Sequence, residues 1–209
     1  MEKYHKYVFD NENKIFCGNF EKMYQNEAIE VFDSWHQEDS RQLQRKIAFA
    51  LLSEYNFDNI IDLGCGKGSF SHLFKKKNNN FTAVDISITA IAHAKERYPD
   101  IDFIQLDLAD TTKFSNFMAK KNQEKKINLV LSGEVFSYLS NWRDIIQVSS
   151  NYTDYFLVFL YIPDNPIGYV KSETELTEEI NKNFDIIEYI SIKKQKSCVI
   201  FGRNRLYAI

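Results

Sequence analysis

Hydrophobic and polar positions change period repeatedly along the central two thirds of the chain. Residues 59–65 form a short apolar run ending in glycine, the pattern of a buried strand. Residues 67–77 follow with Phe70, Leu73 and Phe74 at helical spacing. The alternation then recurs. It predicts strands at 81–86, 103–106 and 127–132, with helices at 88–98 and 141–152 and a polar helix or long loop at 112–125. Pro99 terminates the second helical segment. Trp142, Ile145, Ile146 and Ser149 share one face of the fourth segment. Residues 154–162 (DYFLVFLYI) are apolar on both faces, as a central parallel strand should be. A helix at 172–183 opens with S-x-x-E, a capping-box spacing. Strands at 184–192 and 198–207 are joined only by KKQKS, too short for a crossover helix, and so predict an antiparallel hairpin.

Five strand-then-helix units followed by a hairpin predict an α/β fold. Its sheet is mostly parallel, with helices on both faces and right-handed crossovers. No linker-like stretch divides the chain, so one domain of 1–209 is expected, with an aromatic-rich N-terminal cap or lid at 1–58 and a core at 59–209. Within the cap, 39–54 reads as a helix with Leu43, Ile47, Ala50 and Leu51 on one face, and 4–35 shows little regular periodicity. The run KKKNNN at 75–80 reads as a solvated helix end entering a turn.

Composition narrows the function classes. Of 209 residues 44% are hydrophobic and 15% aromatic, enough for one substantial core. The net charge of -3 gives no global basic field, so no nucleic-acid substrate is expected. Cys17, Cys65 and Cys198 are widely spaced and odd in number, which reads as reduced thiols in a soluble, cytoplasmic protein. His5, His36, His72 and His93 lack zinc-ligand spacing, so no metal is expected. The apolar runs are too short to span a bilayer, and the N-terminus has no apolar signal core.

Candidate chemistry gathers where open α/β sheets bind ligands, beyond the carboxyl ends of the strands. Asp62-Leu63-Gly64-Cys65-Gly66-Lys67-Gly68 places a G-x-G-x-G loop between strand and helix, either a backbone cradle for a nucleotide-type ligand or a plain tight turn. A dinucleotide fingerprint would need glycine at position 69, where the chain has Ser69. Asp85 ends the second strand at the offset suited to ribose hydroxyls. A helix N-cap is its other role, and Ser87 is available for that. Asp107-Leu108 follows the third strand, either to accept from an adenine amine or as a solvated loop acid. Ser132-Gly133-Glu134 ends the fourth strand.

These segments, IIDLGCGKGSF, AVDIS, QLDLAD and NLVLSGEVFSYL, resemble in order the motifs of class I S-adenosylmethionine (SAM)-dependent methyltransferases. The resemblance covers residues 40–209. It implies a Rossmann-like seven-stranded sheet ending in an antiparallel strand, with SAM as cofactor and S-adenosylhomocysteine (SAH) as product. It places Gly64, Cys65 and Gly66 along the methionine portion and Asp62 near its amino group. Asp85 and Ile86 fall at the ribose, Asp107 and Leu108 at the adenine, and Ser132 and Glu134 beside the sulfonium and substrate. EVFSYL, with FEKMYQ and DSWHQEDSR, is further similar to nodulation-type and amino-sugar N-methyltransferases. That similarity implies a sugar or nucleotide-linked sugar acceptor, methylated on O or N.

Glu134 and His36 are the candidate bases; the other roles open to them are a pocket-wall carboxylate and a surface histidine. Tyr24, Trp35, Tyr138 and Tyr161 are candidates to pack against the sulfonium or a sugar ring, or else belong to the core. Arg41 or Arg45 is the candidate partner for the SAM carboxylate, or else a surface charge. A protein or nucleic-acid methyltransferase is the competing enzyme class, weakened by SGEV in place of an NPPY-like motif. A scaffold that kept the fold without catalysis is the non-enzymatic alternative.

Overall fold

The computed structural model describes residues 3–10, 12–37 and 42–207. A short helix α1 (His5–Val8) and two two-residue strands, β1 (Phe9–Asp10) and β2 (Ile15–Phe16), open the chain. They are followed by helix α2 (Phe20–Glu30), which the sequence reading did not anticipate. Its inward face, Met23, Tyr24 and Glu27, recurs at three- and four-residue spacing, and the Asn19 side chain caps it by accepting from the Lys22 amide.

Helix α3 (Leu43–Ser53) leads into strand β3 (Asn59–Leu63), buried at every position. The expected alternation follows as α4 (Ser69–Phe74), β4 (Asn80–Asp85), α5 (Ile88–Arg97), β5 (Asp102–Gln105), α6 (Thr111–Glu124), β6 (Ile127–Gly133), α7 (Trp142–Ser150), β7 (Thr153–Tyr161) and α8 (Glu173–Ile180). The chain closes with β8 (Phe184–Ile192) and β9 (Ser197–Asn204). Strand order is β5-β4-β3-β6-β7-β9-β8; β9 runs antiparallel to both its neighbours, and the other pairings are parallel. The final hairpin therefore inserts its second strand beside β7, which leaves β8 at the edge.

Helix α4 is shorter than the expected 67–77. At Lys75 the backbone turns extended, and Asn79 folds back, donating to the Phe74 carbonyl (2.9 Å) and accepting from the Lys76 amide (2.9 Å). The KKKNNN run is thus a bonded turn with a buried asparagine. Residues 111–124 are helical, capped by Asp110, which accepts from the Lys113 amide at 3.0 Å. Ser172 caps α8 through the Glu175 amide at 3.0 Å.

Helices cover both sheet faces. Phe114, Met118, Trp142, Phe156 and Phe184 pack on one side. On the other lie Phe81, Ile91, Phe103, Phe159 and Phe201, with Ala48 and Leu52 of α3. One face of helix α3, Ile47, Ala48, Leu51 and Leu52, placed in the cap by the sequence reading, therefore packs against the core. Strand β3 sits where the strand order reverses, between β4 and β6, and the crevice of the sheet opens at its carboxyl end.

Candidate active site

A cavity of about 270 Å³ occupies that crevice. Its floor is the loop after β3. Gly64 and Gly66 have left-handed backbones (φ +73° and +54°), which glycine adopts without steric cost. The loop is tied down by β4, since the Gly64 and Cys65 amides both donate to the Val84 carbonyl (2.8 and 2.9 Å). A Cβ on Gly64 would stand 2.2 Å from Val135, and one on Gly66 would stand 2.4 Å from Gln37 Oε1. Close neighbours above the loop, as well as its curvature, demand glycine.

Three carboxylates border this floor. Asp85 is buried and accepts from the Gly66 amide (2.8 Å) and the Ser87 amide (2.9 Å). Burial pushes its pKa up, partly offset by those amides. The helix-capping role falls to Ser87, whose hydroxyl accepts from the Ala90 amide at 3.1 Å. Asp62 is buried under the loop, accepts from Ser71 Oγ at 2.5 Å, and is raised by burial to about 7. Asp107 is exposed, with one oxygen on the Ala109 amide at 2.8 Å. Ile86, Leu106, Leu108 and Ala109 form an apolar wall between Asp85 and Asp107.

Glu134 faces the cavity from the end of β6 in a left-handed conformation (φ +61°), unusual for a residue with a side chain. Its Oε2 accepts from the Tyr161 amide (2.8 Å) and its Oε1 from Gln44 Nε2 (3.3 Å). Burial raises its pKa against those two donors. Burial, together with Asp85 and Asp62, also raises the Cys65 thiol well above its usual range, so Cys65 offers no nucleophile.

Residues of the N-terminal segment, the expected cap or lid, lie over the glycine loop. Gln37 is the joint. Its Oε1 accepts from the Lys67 amide (2.7 Å), while its Nε2 donates to Tyr24 Oη (3.0 Å) and the Ser34 carbonyl (3.3 Å). The Lys67 ammonium lies 3.0 Å from both Glu27 Oε2 and Asp33 Oδ1. Farther along α2, Glu21 accepts from the hydroxyls of Ser87 (2.7 Å) and Thr89 (2.5 Å), tying the helix to the start of α5.

Asp62, Gly64, Cys65, Gly66, Asp85, Ile86, Asp107, Leu108, Glu134, Tyr24, Trp35 and Tyr138 all border the cavity, as does Arg45, weighed beside Arg41. Arg41 lies outside the described residues. Three expectations need correction. Ser132 is fully buried in β6 and absent from the lining; alternation alone would put Glu134 on the same side, but the left-handed backbone at Glu134 (φ +61°), one residue beyond the strand, turns that side chain into the space beside Gly133. Tyr161 is 48% exposed, and it is its backbone amide that serves the site through Glu134. His36 is exposed; its ring lies 6.3 Å from that of Tyr4, outside the lining, and its carbonyl accepts from Arg45 at 3.3 Å. Gln37, Lys67, Glu27, Phe16, Phe20, Leu106 and Val135 were missed. Helical spacing of Met23, Tyr24 and Glu27 was the available signal for α2.

Residues 61–154 match the family model described as a methyltransferase domain. Among curated relatives, a malonyl-[acyl-carrier protein] O-methyltransferase of Pectobacterium atrosepticum is 36% identical over 67 residues, covering 30% of this chain and 26% of that protein. A second, from Ilyobacter polytropus, is 28% identical over 151 residues, covering 62% of this chain and 53% of that one. The chain thus spans between a quarter and about half the length of these relatives. Among solved structures, the N-methyltransferase NodS from Bradyrhizobium japonicum WM9, in complex with SAH, superposes with TM-score 0.66 at 17% identity, over 87% of this chain and 98% of that one. A SAM-dependent methyltransferase from Clostridium acetobutylicum gives TM-score 0.65 at 12% identity, over 86% and 98%. With the strand order, the glycine loop and the carboxylates at successive strand ends, these matches give residues 61–154 the pattern of a methyltransferase domain and the chain the fold of the solved SAM-dependent methyltransferases.

Proposed function

We propose that this protein transfers the methyl group of SAM to an oxygen or nitrogen atom of a small-molecule acceptor. One observation carries the proposal: a single cavity is bordered by the bare glycine loop, by carboxylates at the ends of β3, β4 and β5, and by a separate carboxylate, Glu134, at the end of β6.

The residues present suit SAM. The Gly64–Gly66 backbone borders the cavity for the methionine chain, and Asp62 supplies negative charge for its ammonium. Asp85 keeps acceptor capacity beyond its two amide bonds for ribose hydroxyls. Ile86, Leu106 and Leu108 form an apolar slot for the adenine, and the second oxygen of Asp107 serves its exocyclic amine. Arg45 is the cation on the cavity wall for a carboxylate.

Bound SAM supplies a sulfonium-activated methyl carbon, whose bond to sulfur breaks with its electron pair as the acceptor's lone pair bonds to that carbon. The protein's part is to align the acceptor and exclude water. The cap excludes water through the joint at Gln37 and the Lys67 ion pairs. Glu134 is the residue for the acceptor's proton: its carboxylate is held by the Tyr161 amide, carries a longer bond from Gln44, and has an affinity for protons raised by burial. A hydroxyl acceptor needs that base; an amine needs only to arrive deprotonated.

The sugar acceptor implied by sequence resemblance has no counterpart in the two curated relatives described above, which are named for methyl transfer to a malonyl-acyl carrier protein. The free thiols of Cys17, Cys65 and Cys198 suit the reducing cytoplasm in which we place the protein. No helix among the described residues is long and apolar enough to cross a membrane.

Calorimetric titration with SAM tests the proposal. Micromolar binding is expected, weakened strongly in Asp85→Ala and less in Asp85→Asn, which keeps an acceptor for the Gly66 amide. Absence of SAM binding, alone and with candidate acceptors present, refutes it.

A further inference from the structure

The two sides of the cavity differ in chemistry. The side assigned to SAM offers carboxylates and backbone; the side under the cap is walled by aromatic carbon. Tyr138 sits in the middle of that wall, its ring centroid 5.3 Å from those of Phe20 and Trp35 and 5.8 Å from that of Phe16. The Tyr138 and Phe16 rings are within 19° of parallel. All four rings line the cavity. Three of them come from the N-terminal cap and one from the segment after β6, so the wall exists only when the cap is seated.

Polar groups beside these rings are the Tyr138 hydroxyl and the Glu134 carboxylate, with Arg45 of the cavity lining acting on the Glu134 charge. The Tyr138 hydroxyl makes no hydrogen bond among the described residues. The Glu134 carboxylate has one oxygen on the Tyr161 amide at 2.8 Å and a weaker contact from Gln44 at 3.3 Å. A sugar presents a hydroxyl on almost every ring carbon, and each one buried without a partner opposes binding. Aromatic faces cover the C–H face of a sugar and leave those hydroxyls unserved. A flat ring system with a single heteroatom matches this wall in both shape and polarity.

We infer that the methyl acceptor is a flat, ring-bearing small molecule, packed against Phe16, Phe20, Trp35 and Tyr138, with one nucleophilic oxygen or nitrogen at Glu134 and the Tyr138 hydroxyl. This assignment rests on the methyl-transfer reading and narrows it. A polyhydroxylated sugar does not satisfy the same wall.

The test uses the full chain saturated with SAH, after SAH binding has been established by calorimetry. The probes are 1-naphthol, quinolin-4-ol and benzimidazole, against glucosamine and methyl glucoside, followed by calorimetry and by Trp35 fluorescence. Trp142, fully buried, provides a constant background. The flat probes are expected to bind at least roughly a hundredfold more tightly than the sugars. Tyr138→Ala and Phe16→Ala should each weaken them about tenfold or more, beyond any change in SAH affinity measured on the same variant. Tyr138→Phe, which keeps the ring, should retain their binding. Sugar binding as tight as that of the flat probes overturns the inference, and so does flat-probe affinity indifferent to both alanine variants. If SAH itself fails to bind, the methyl-transfer reading falls and takes this inference with it. If SAH binds and the rings do not matter, only the acceptor assignment falls.

Discussion

Lys67→Met tests how the cap is held over the site. The Lys67 ammonium bridges Glu27 and Asp33 at 3.0 Å each, with side-chain exposures of 14% for Lys67, 8% for Glu27 and 30% for Asp33. Methionine keeps the length and apolar stem of lysine and removes its charge. Glu27 would then stay buried with the Ser34 amide, at 2.7 Å, as its remaining side-chain partner among the described residues. Removing one partner of a buried pair costs about 3–5 kcal/mol, most of it the penalty on the charge left behind. Asp33 is open enough to water that its share is under about 1 kcal/mol. At about 1.4 kcal/mol per factor of ten, the detached cap should become between roughly a hundredfold and a few thousandfold more populated. The Gln37 bond to the Lys67 amide is a backbone contact and survives the substitution.

Amide hydrogen exchange reads this directly. Residues 20–37 should lose protection in Lys67→Met while β6 and β7 keep theirs, because local opening is measured against the global unfolding seen in central strands. SAM affinity should fall with it, since Trp35, Tyr24 and Gln37 line the cavity. Glu27→Met combined with Lys67→Met should recover most of the loss by removing the stranded charge. Unchanged exchange over 20–37 in the single variant, or a double variant no better than the single, would refute the assignment of this ion pair as the latch.

Gly66→Ala forces a Cβ into a left-handed position 2.4 Å from Gln37 Oε1 and 2.8 Å from Tyr24 Oη. It should lower SAM affinity by about tenfold or more, given about 1–2 kcal/mol of backbone strain and a broken joint; unaltered calorimetry would contradict it. Asp62 has a folded-state pKa of about 7 against an ordinary 3.8, so its burial destabilises the fold fully above pH 7 and not at all below about pH 4. Relative to wild type, Asp62→Asn should therefore become more stable between pH 4 and pH 8, by up to about 4 kcal/mol; a stability difference flat across that range in denaturant titrations would count against a buried, ionising Asp62. Glu134→Gln should remove the rise in rate with pH that follows ionisation of a carboxyl whose pKa is raised, and cost about 10²–10⁴ in kcat with a hydroxyl acceptor. A variant with wild-type kcat and pH profile would leave Glu134 as a wall of the pocket and nothing more.

The sequence alone determined the order of strands and helices, the antiparallel ending and the cofactor end of the site. These features are written locally: β3 to β7 are short runs of four to nine residues bounded by helical spacing, and the glycine loop, Asp85 and Asp107 each lie at or just beyond a strand end. A parallel sheet then brings all strand ends to one edge by topology, so residues far apart in the chain meet without any need to know their contacts. What escaped the sequence depends on long-range packing. Burial in β6 removed Ser132 from the site, and the left-handed turn just beyond the strand admitted Glu134. Folding of β7 beside β6 put the Tyr161 side chain outside while its amide holds Glu134. The seating of α2 on the glycine loop, through Gln37, Lys67 and Glu27, makes contacts across ten to forty residues of sequence with no periodic signal. The cap, and with it the acceptor wall, was therefore decided by tertiary structure, because burial of a few polar residues against a loop leaves no pattern in the chain that makes it.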